Sequence, residues 1–320
     1  MFSSSQKKLI SYFENAVGED SLRQTYIIKG ESGLGKKEAL KKISEYIMCR
    51  TGSACGTCNG CQSLLANANP DCIRVSNGDK KTIEIQKIRE MIKEVYIKPI
   101  GSKYKLFIIE NAHLMDAAPQ NALLKVIEEP PQYAVFVLVC DSIGSILPTI
   151  LSRAFVLELE RSSIDDLRSI FPLPKEDEYM YTYCLGNIGT LKSISSDDNF
   201  KDLRDKVIST FRNLILGDEY SAYEAAKFWV DNKENKEDII NILVMFLRDI
   251  VFYKNSLADS ISNMDKTDEI KAVSAALTLK SSYDMLEAVC DMPRIMGKYG
   301  NFSMAAETMM LKIKQLTAGN

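Results

Sequence analysis

The chain has 320 residues, 46% of them apolar and 26% charged, ordinary globular usage that excludes a mostly disordered polymer. A formal charge of −3 excludes a protein that coats nucleic acid by bulk basicity, although a local basic face stays open. No run approaches the length of a membrane span, and the start MFSSSQKKLISYFENAVGED has no apolar h-region, so the expected compartment is the cytoplasm, with no membrane partner.

At roughly 100–200 residues per domain, the length implies two or three domains. Residues 25–29 (TYIIK) form a β-branched and aromatic run followed by the glycine turn GESGLG, the pattern of a buried strand entering a loop. Leu40, Ile43 and Ile47 then recur at helical spacing. After a cysteine cluster, DCIRVS reads as a weak strand. Ile85, Ile88 and Ile92 share one face of a helix beginning near Thr82, and KLFIIE (105–110) is a compact buried strand. NALLKVIEE is a helix stopped by Pro130 and Pro131. YAVFVLVC (133–140) and AFVLEL (154–159) are further strands. This alternation predicts an α/β domain with a parallel sheet covered by helices. Beyond about residue 160 the pattern changes to short helical segments, and from about 203 nearly all of it is helical. The expected division is an α/β domain over 1–159, a small helical unit over 160–202 and an all-helical domain over 203–320.

Gly30-Glu31-Ser32-Gly33-Leu34-Gly35-Lys36-Lys37 fits G-x-x-x-x-G-K between a strand and a helix, the context in which backbone N–H groups and a helix N-terminus cradle phosphate. The next position should hold a Ser or Thr for Mg²⁺; it holds Lys37. The strand end that should supply a metal-binding Asp and a water-orienting Glu supplies Glu110 and Asn111. Two departures in independent parts of one machine favour a retained turn, with neither ATP nor ADP expected. Gly30, Gly33, Gly35, Lys36, Lys37, Glu110 and Asn111 are the residues that would hold a nucleotide. The single histidine, His113, has no nucleophile or metal partner in the pattern and is expected to pack.

Cys49, Cys55, Cys58 and Cys61 lie within thirteen residues of a glycine-bearing loop. Tight C-x-x-C turns place sulfurs on one side of the chain, which a tetrahedral Zn²⁺ then closes, so structural zinc is expected here. Four protein ligands leave no open position for catalysis. Cys72, Cys140, Cys184 and Cys290 are scattered and read as small buried hydrophobes.

In order, YIIKGESGLGKK, the four-cysteine insert, NPD (69–71), KLFIIENAHLMDAAPQNALLKVIEEPPQYAVFVLVC and LPTILSRAFVLEL resemble the delta-prime subunits of bacterial DNA polymerase III clamp loaders, within the AAA+ superfamily. The likeness is strong over 25–159 and weaker over 184–192. It implies a RecA-like AAA+ domain with a zinc insert at 49–61, a helical lid domain and a C-terminal helical collar domain. It further implies a non-catalytic subunit of the polymerase holoenzyme. Such a subunit sits in a heteromeric ring with motor subunits and a delta subunit, in the replisome at the nucleoid, and supports ATP-dependent loading of the sliding clamp on primer–template DNA.

The family's motor subunits carry Ser/Thr, Asp and Glu where Lys37, Glu110 and Asn111 stand. The lid's nucleotide-sensing basic residue is replaced, since Gly186-Asn187-Ile188-Gly189 runs into Thr190. The family's Ser-Arg-Cys motif is Ser152-Arg153-Ala154 here. In the family this arginine reaches the γ-phosphate of a neighbour's ATP, so Arg153 is expected to act in trans. Two alternatives remain open: a hydrolysing motor subunit of the same loader, and a zinc-stabilised P-loop phosphotransferase.

Residues 80–105 carry a net charge of +5, leaving −8 on the rest. Lys80, Lys81 and Thr82, at the expected helix start, are the candidate contacts to DNA phosphates. No aromatic stacking set is interleaved, so base-specific recognition is not expected.

Overall fold

The five strands read from the sequence form one sheet. They are β1 (Thr25–Lys29), β2 (Cys72–Val75), β3 (Lys105–Ile109), β4 (Ala134–Cys140) and β5 (Phe155–Glu158). Every pairing is parallel and the order is β2-β3-β4-β1-β5. β1 and β4 pair in register, with Ile27 beside Leu138 and Lys29 beside Cys140. Residues of β3 and β4 are buried throughout, as a parallel sheet covered on both faces requires.

The computed structural model describes residues 1–299 and 302–318, which divide into two compact units. The first comprises residues 1–172 together with Gly186–Gly189. Its helices are α1 (Ser4–Gly18), α2 (Lys36–Met48), α3 (Asn59–Leu65), α4 (Ile85–Val95), α5 (Ala117–Glu128), α6 (Pro148–Leu151) and α7 (Ile164–Ile170). Side chains alternate across the sheet. Ile28, Ile108 and Val137 join Phe13, Leu40 and Ile43 on the α1/α2 side, while Ile27, Phe107 and Phe136 join Ile88 and Leu123 on the α4/α5 side. Phe107 and Phe136 stack with ring centroids 5.0 Å apart.

Three helices of the first unit, α1, α3 and the short α6, lie outside the sequence expectation. α1 starts with a capping box in which the Gln6 N–H donates to Ser3 Oγ and the Ser3 N–H donates to Gln6 Oε1, satisfying two orphan groups reciprocally. α3 forms inside the cysteine loop. α4 begins at Ile85, not near Thr82. Ile83 is 1% exposed and its N–H donates to the Leu114 carbonyl, which keeps the chain out of helix until Ile85.

The second unit comprises Leu173–Leu185 and the described residues from Thr190 onward. Its helices are α8 (Tyr179–Tyr183), α9 (Ile188–Ser195, beginning in the short segment assigned to the first unit), α10 (Asp198–Leu216), α11 (Tyr220–Asp231), α12 (Lys236–Lys254), α13 (Thr267–Ala276), α14 (Leu279–Tyr299) and α15 (Phe302–Ala318). Trp229, Phe246 and Ile250 are buried in this helical core, and Trp229 stacks on Phe302. Buried Arg204 pairs with Asp265 at 2.7 Å and lies 3.6 Å above the Tyr179 ring, so its charge is both paired and stacked. Cys140 and Cys184 are buried as expected, but Cys72 is half-buried and Cys290 is exposed on α14. Among the described residues no helix is long and apolar enough to cross a membrane.

Candidate functional site

The glycine loop joins the end of β1 to α2, and β4 lies beside β1. The Gly30 N–H donates to the Cys140 carbonyl at 3.1 Å. Gly33 and Gly35 turn the chain with φ of 85° and 84°. Lys36 opens α2, and its side chain is only 10% exposed. Its ammonium lies 2.7 Å from Asp141 Oδ1 and donates to the Glu31 carbonyl at 2.8 Å and to the Gly30 carbonyl. Asp141 directly follows β4, and its N–H donates to His113 Nδ1 at 3.2 Å. The cation that would meet a phosphate therefore meets a carboxylate of the same chain, which offsets much of the cost of its burial.

Other segments close on the same loop. Asn187 Nδ2 donates to the Ser32 carbonyl at 2.7 Å and the Gly189 N–H to the Gly33 carbonyl at 2.9 Å. A Cβ on Gly33 would stand 2.3 Å from Asn187 Oδ1. Gln6 Nε2 donates to the Gly35 carbonyl at 2.9 Å. Arg161 grips Glu31 in two-pronged fashion, Nε donating to Oε2 at 3.1 Å and Nη2 to Oε1 at 3.0 Å, the geometry a guanidinium fork prefers.

The remaining sequence candidates diverge from this point. Exposed Lys37 lines a 200 Å³ cavity with Lys41, Glu45, Leu64 and Arg74. Glu110, just beyond β3, faces Arg74 at 3.6 Å. Asn111 adopts a left-handed conformation with φ of 54° and donates to Asn77 Oδ1 at 2.9 Å. His113 packs as expected, accepting from the Asp141 backbone.

The cysteines converge. Cys49 caps the end of α2, Cys58 caps the start of α3 and Cys61 lies in its first turn. The four Sγ atoms all lie within 4.8 Å of one another. A tetrahedron with Zn–S bonds of 2.3 Å separates its sulfurs by about 3.8 Å, so the donor set fits Zn²⁺ and can hold a metal ion. Burial opposes ionisation of Cys49. Hydrogen bonds from the Thr51 hydroxyl and the Cys55 and Thr51 N–H groups outweigh it and bring the thiol down to about 5. Bonds from the Thr57 side chain and backbone bring Cys55 to about 7. Burial pushes Cys61 up to about 12, so a metal must displace its proton.

Arg153 follows α6 and is 40% exposed. Its guanidinium donates to the Thr149 carbonyl at 3.0 Å and pairs with Glu128 at 3.0 Å. Of the basic segment, Lys80 pairs with Glu84, and Lys103 with Asp20 at 2.6 Å. Lys87 donates to the Ser76 carbonyl, and buried Lys105 pairs with Glu94 at 3.1 Å. Lys81 and Thr82 are exposed in a bend before α4, not on a helix N-terminus.

Two family models match the chain. One, described as DNA polymerase III, delta subunit, covers residues 5–163. The other, DNA polymerase III, delta subunit, C terminal, covers residues 198–315. The chain belongs to the clamp-loader subunit family of DNA polymerase III. Subunit delta′ of the Bacillus subtilis polymerase is 23% identical over 318 residues, covering 97% of this chain and 96% of that one. Subunit gamma/tau of Mycobacterium tuberculosis is 32% identical over 142 residues, covering 43% of this chain and 24% of that one. Among solved structures, the Bacillus subtilis clamp loader delta protein aligns over 96% of this chain and 99% of that one, with 12% identity and a TM-score of 0.38. The parallel sheet flanked by helices and the helical region matched by the C-terminal family model agree with the architecture the resemblance implied.

Three residues that meet the loop were not marked as its partners by the sequence: Asp141, Gln6 and Asn187. Asp141 carried one usable signal, an acid directly after the longest buried strand. Gln6 and Asn187 reach the loop from 29 and 155 residues away; Gln6 belongs to a helix cap and Asn187 to the 186–189 turn, but neither pattern points to the loop.

Proposed function

We propose that the chain is the non-catalytic, delta-prime-type subunit of a clamp loader, assembled with motor subunits and a delta subunit. It supports ATP-dependent placement of the sliding clamp on primer–template DNA in the replisome. In this reading residues 160–202 are the lid remnant and 203–320 the collar domain.

The observation that carries this reading is the engagement of Lys36 by Asp141 and by two loop carbonyls. An entering β- or γ-phosphate would have to displace a carboxylate and would then face it as a like charge. With Lys37 in place of a magnesium ligand and Asn111 in place of a water-orienting carboxylate, the site lacks both metal attachment and a base.

Arg153 supplies the active contribution, reaching the γ-phosphate of the adjacent motor subunit. A planar, permanently charged fork suits charge that grows on phosphate oxygens in the transition state. Its bond to Glu128 is an exposed ion pair, worth roughly 0.2–1 kcal/mol, a tether that a phosphate can replace. Zinc, held by the four thiols, closes the 49–61 loop and takes no part in chemistry. DNA contact falls to the exposed cations Lys80 and Lys81, with Thr82 beside them, through phosphates and without sequence specificity.

Calorimetric titration of Mg-ATP into the isolated chain tests the central part. The expected trace is flat. Micromolar affinity would overturn the closed-site reading and favour the motor-subunit alternative.

A further inference from the structure

The tripeptide Asn69-Pro70-Asp71 has no part in the phosphate loop, the thiols or Arg153, yet two of its side chains are buried. Asp71 is 1% exposed. Its carboxylate accepts three consecutive backbone N–H groups, from Ile100 at 2.8 Å, Gly101 at 2.8 Å and Ser102 at 2.9 Å. A carboxylate that gathers three N–H dipoles fixes the loop that carries them. That loop follows α4 and holds Tyr96, Ile97 and Ile100 at the surface, Ile100 being 81% exposed.

Asn69 ties Asp71 to the cysteine module. Its Oδ1 accepts the Asp71 N–H at 2.8 Å, and its Nδ2 donates to the Gly60 carbonyl at 3.0 Å. Gly60 sits between the ligands Cys58 and Cys61. A second route runs from the other end of the module. Ser102 Oγ donates at 3.4 Å to the carbonyl of Met48, the residue before Cys49. Gly60 is pressed on that same carbonyl so closely that a Cβ would lie 2.2 Å from it. Three of the four thiols, Cys49 at the end of α2 and Cys58 and Cys61 at the start of α3, thus flank the two points to which the 100–102 turn is tied.

We propose that the metal module is the lock of the 96–102 turn, with Asn69 and Asp71 as the linkage, so that metal occupancy sets the order of this exposed apolar surface. The inference goes beyond the clamp-loader reading and does not depend on it. It does rest on the four thiols holding a metal. Zinc drawing Cys49 to Cys58 and Cys61 fixes α3 against α2, which places the Gly60 carbonyl for Asn69 and the Met48 carbonyl for Ser102. Without the metal the α2–α3 contact loosens, Asn69 loses its acceptor and the carboxylate of Asp71 is no longer aimed. The central strand β4 keeps its structure: Met48 and Leu64 of the module join the α1/α2-side core, but the α4/α5-side core takes no residue from it.

Hydrogen–deuterium exchange on the full chain tests this, after zinc content has been measured by a chromophoric chelator. Stripping the metal should raise exchange of the 100–102 amides at least tenfold and leave the amides of β4 unchanged, and zinc added back should restore protection. Asn69→Ala with its zinc retained should show the same local increase. A chain that binds no zinc as purified or on addition overturns the proposal. So does unchanged protection at 100–102 after complete zinc release, loss of β4 protection together with the turn, or normal protection in zinc-loaded Asn69→Ala.

Discussion

The glycine loop and the cysteine loop are the two turn-rich signatures of the first unit, and their polar groups end in opposite situations. In residues 30–37 the chain itself takes the cation a phosphate would use and pins the loop's carbonyls in place. Asp141 takes Lys36, Asn187 and Gly189 take the Ser32 and Gly33 carbonyls, and Gln6 takes that of Gly35. In residues 49–61 four thiols aim at one another within 4.8 Å. A motif is a binding site only where its groups converge and have no better partner inside the fold. The first loop keeps the letters of a phosphate site but gives its cation to Asp141; the second keeps both the letters and the convergence.

The largest effect should come from the converging loop. Cys58→Ser should abolish stoichiometric zinc. Structural zinc carries on the order of 10 kcal/mol of apparent binding energy, so even a third of it lost from the first unit would lower its melting temperature by about 10 °C, read by calorimetry. Zinc affinity should also fall with pH. Cys61, held near 12 by burial, is protonated throughout the working range and must release its proton on binding. It alone should weaken apparent affinity roughly tenfold per unit as pH drops from 8 to 6. A pH-independent affinity would contradict four-thiolate coordination.

The closed loop should be next in sensitivity. Gly33→Ala forces a side chain into a left-handed position and against Asn187, at a cost of about 1–3 kcal/mol, measurable as a shift in denaturant midpoint. A neutral result would mean that the 186–189 turn does not seat on the loop. Asp141→Asn keeps the shape but removes the charge facing Lys36. Mg-ATP or pyrophosphate, undetectable with the parent chain, should then bind weakly, with affinity raised at least about tenfold. The smallest effect belongs to Glu128→Ala, which frees Arg153 and should change stability by less than about 1 kcal/mol.

Much of the fold was legible because the apolar patterns are local. TYIIK, KLFII and AVFVLVC are strands within a residue of where their composition placed them, and Pro130 and Pro131 ended α5 as expected. The cysteine set was legible from spacing alone. The start of α4 was not, because a tertiary bond from Ile83 to Leu114 overrides the local preference for helix. α1 carries the reciprocal Ser3/Gln6 cap in its sequence, a local signal for a helix start. The closing of the phosphate loop was out of reach: Lys37 and Asn111 show that parts are missing, but only long-range packing brings Asp141, Asn187 and Gln6 to the loop. The same limit hid the linkage from the NPD tripeptide to residues 100–102.

The most direct measurement of the central claim is steady-state ATP hydrolysis in a reconstituted loader with motor subunits, delta subunit, clamp and primed DNA. It would be run with this chain, with Arg153→Ala, with Arg153→Lys, and with this chain by itself. The chain alone should be silent and the full mixture active. Arg153→Ala should depress hydrolysis at the site it serves by about 10³, and Lys, lacking the planar fork, should recover little of it. Turnover by the chain alone, together with an unchanged rate for Arg153→Ala in the mixture, would contradict the account.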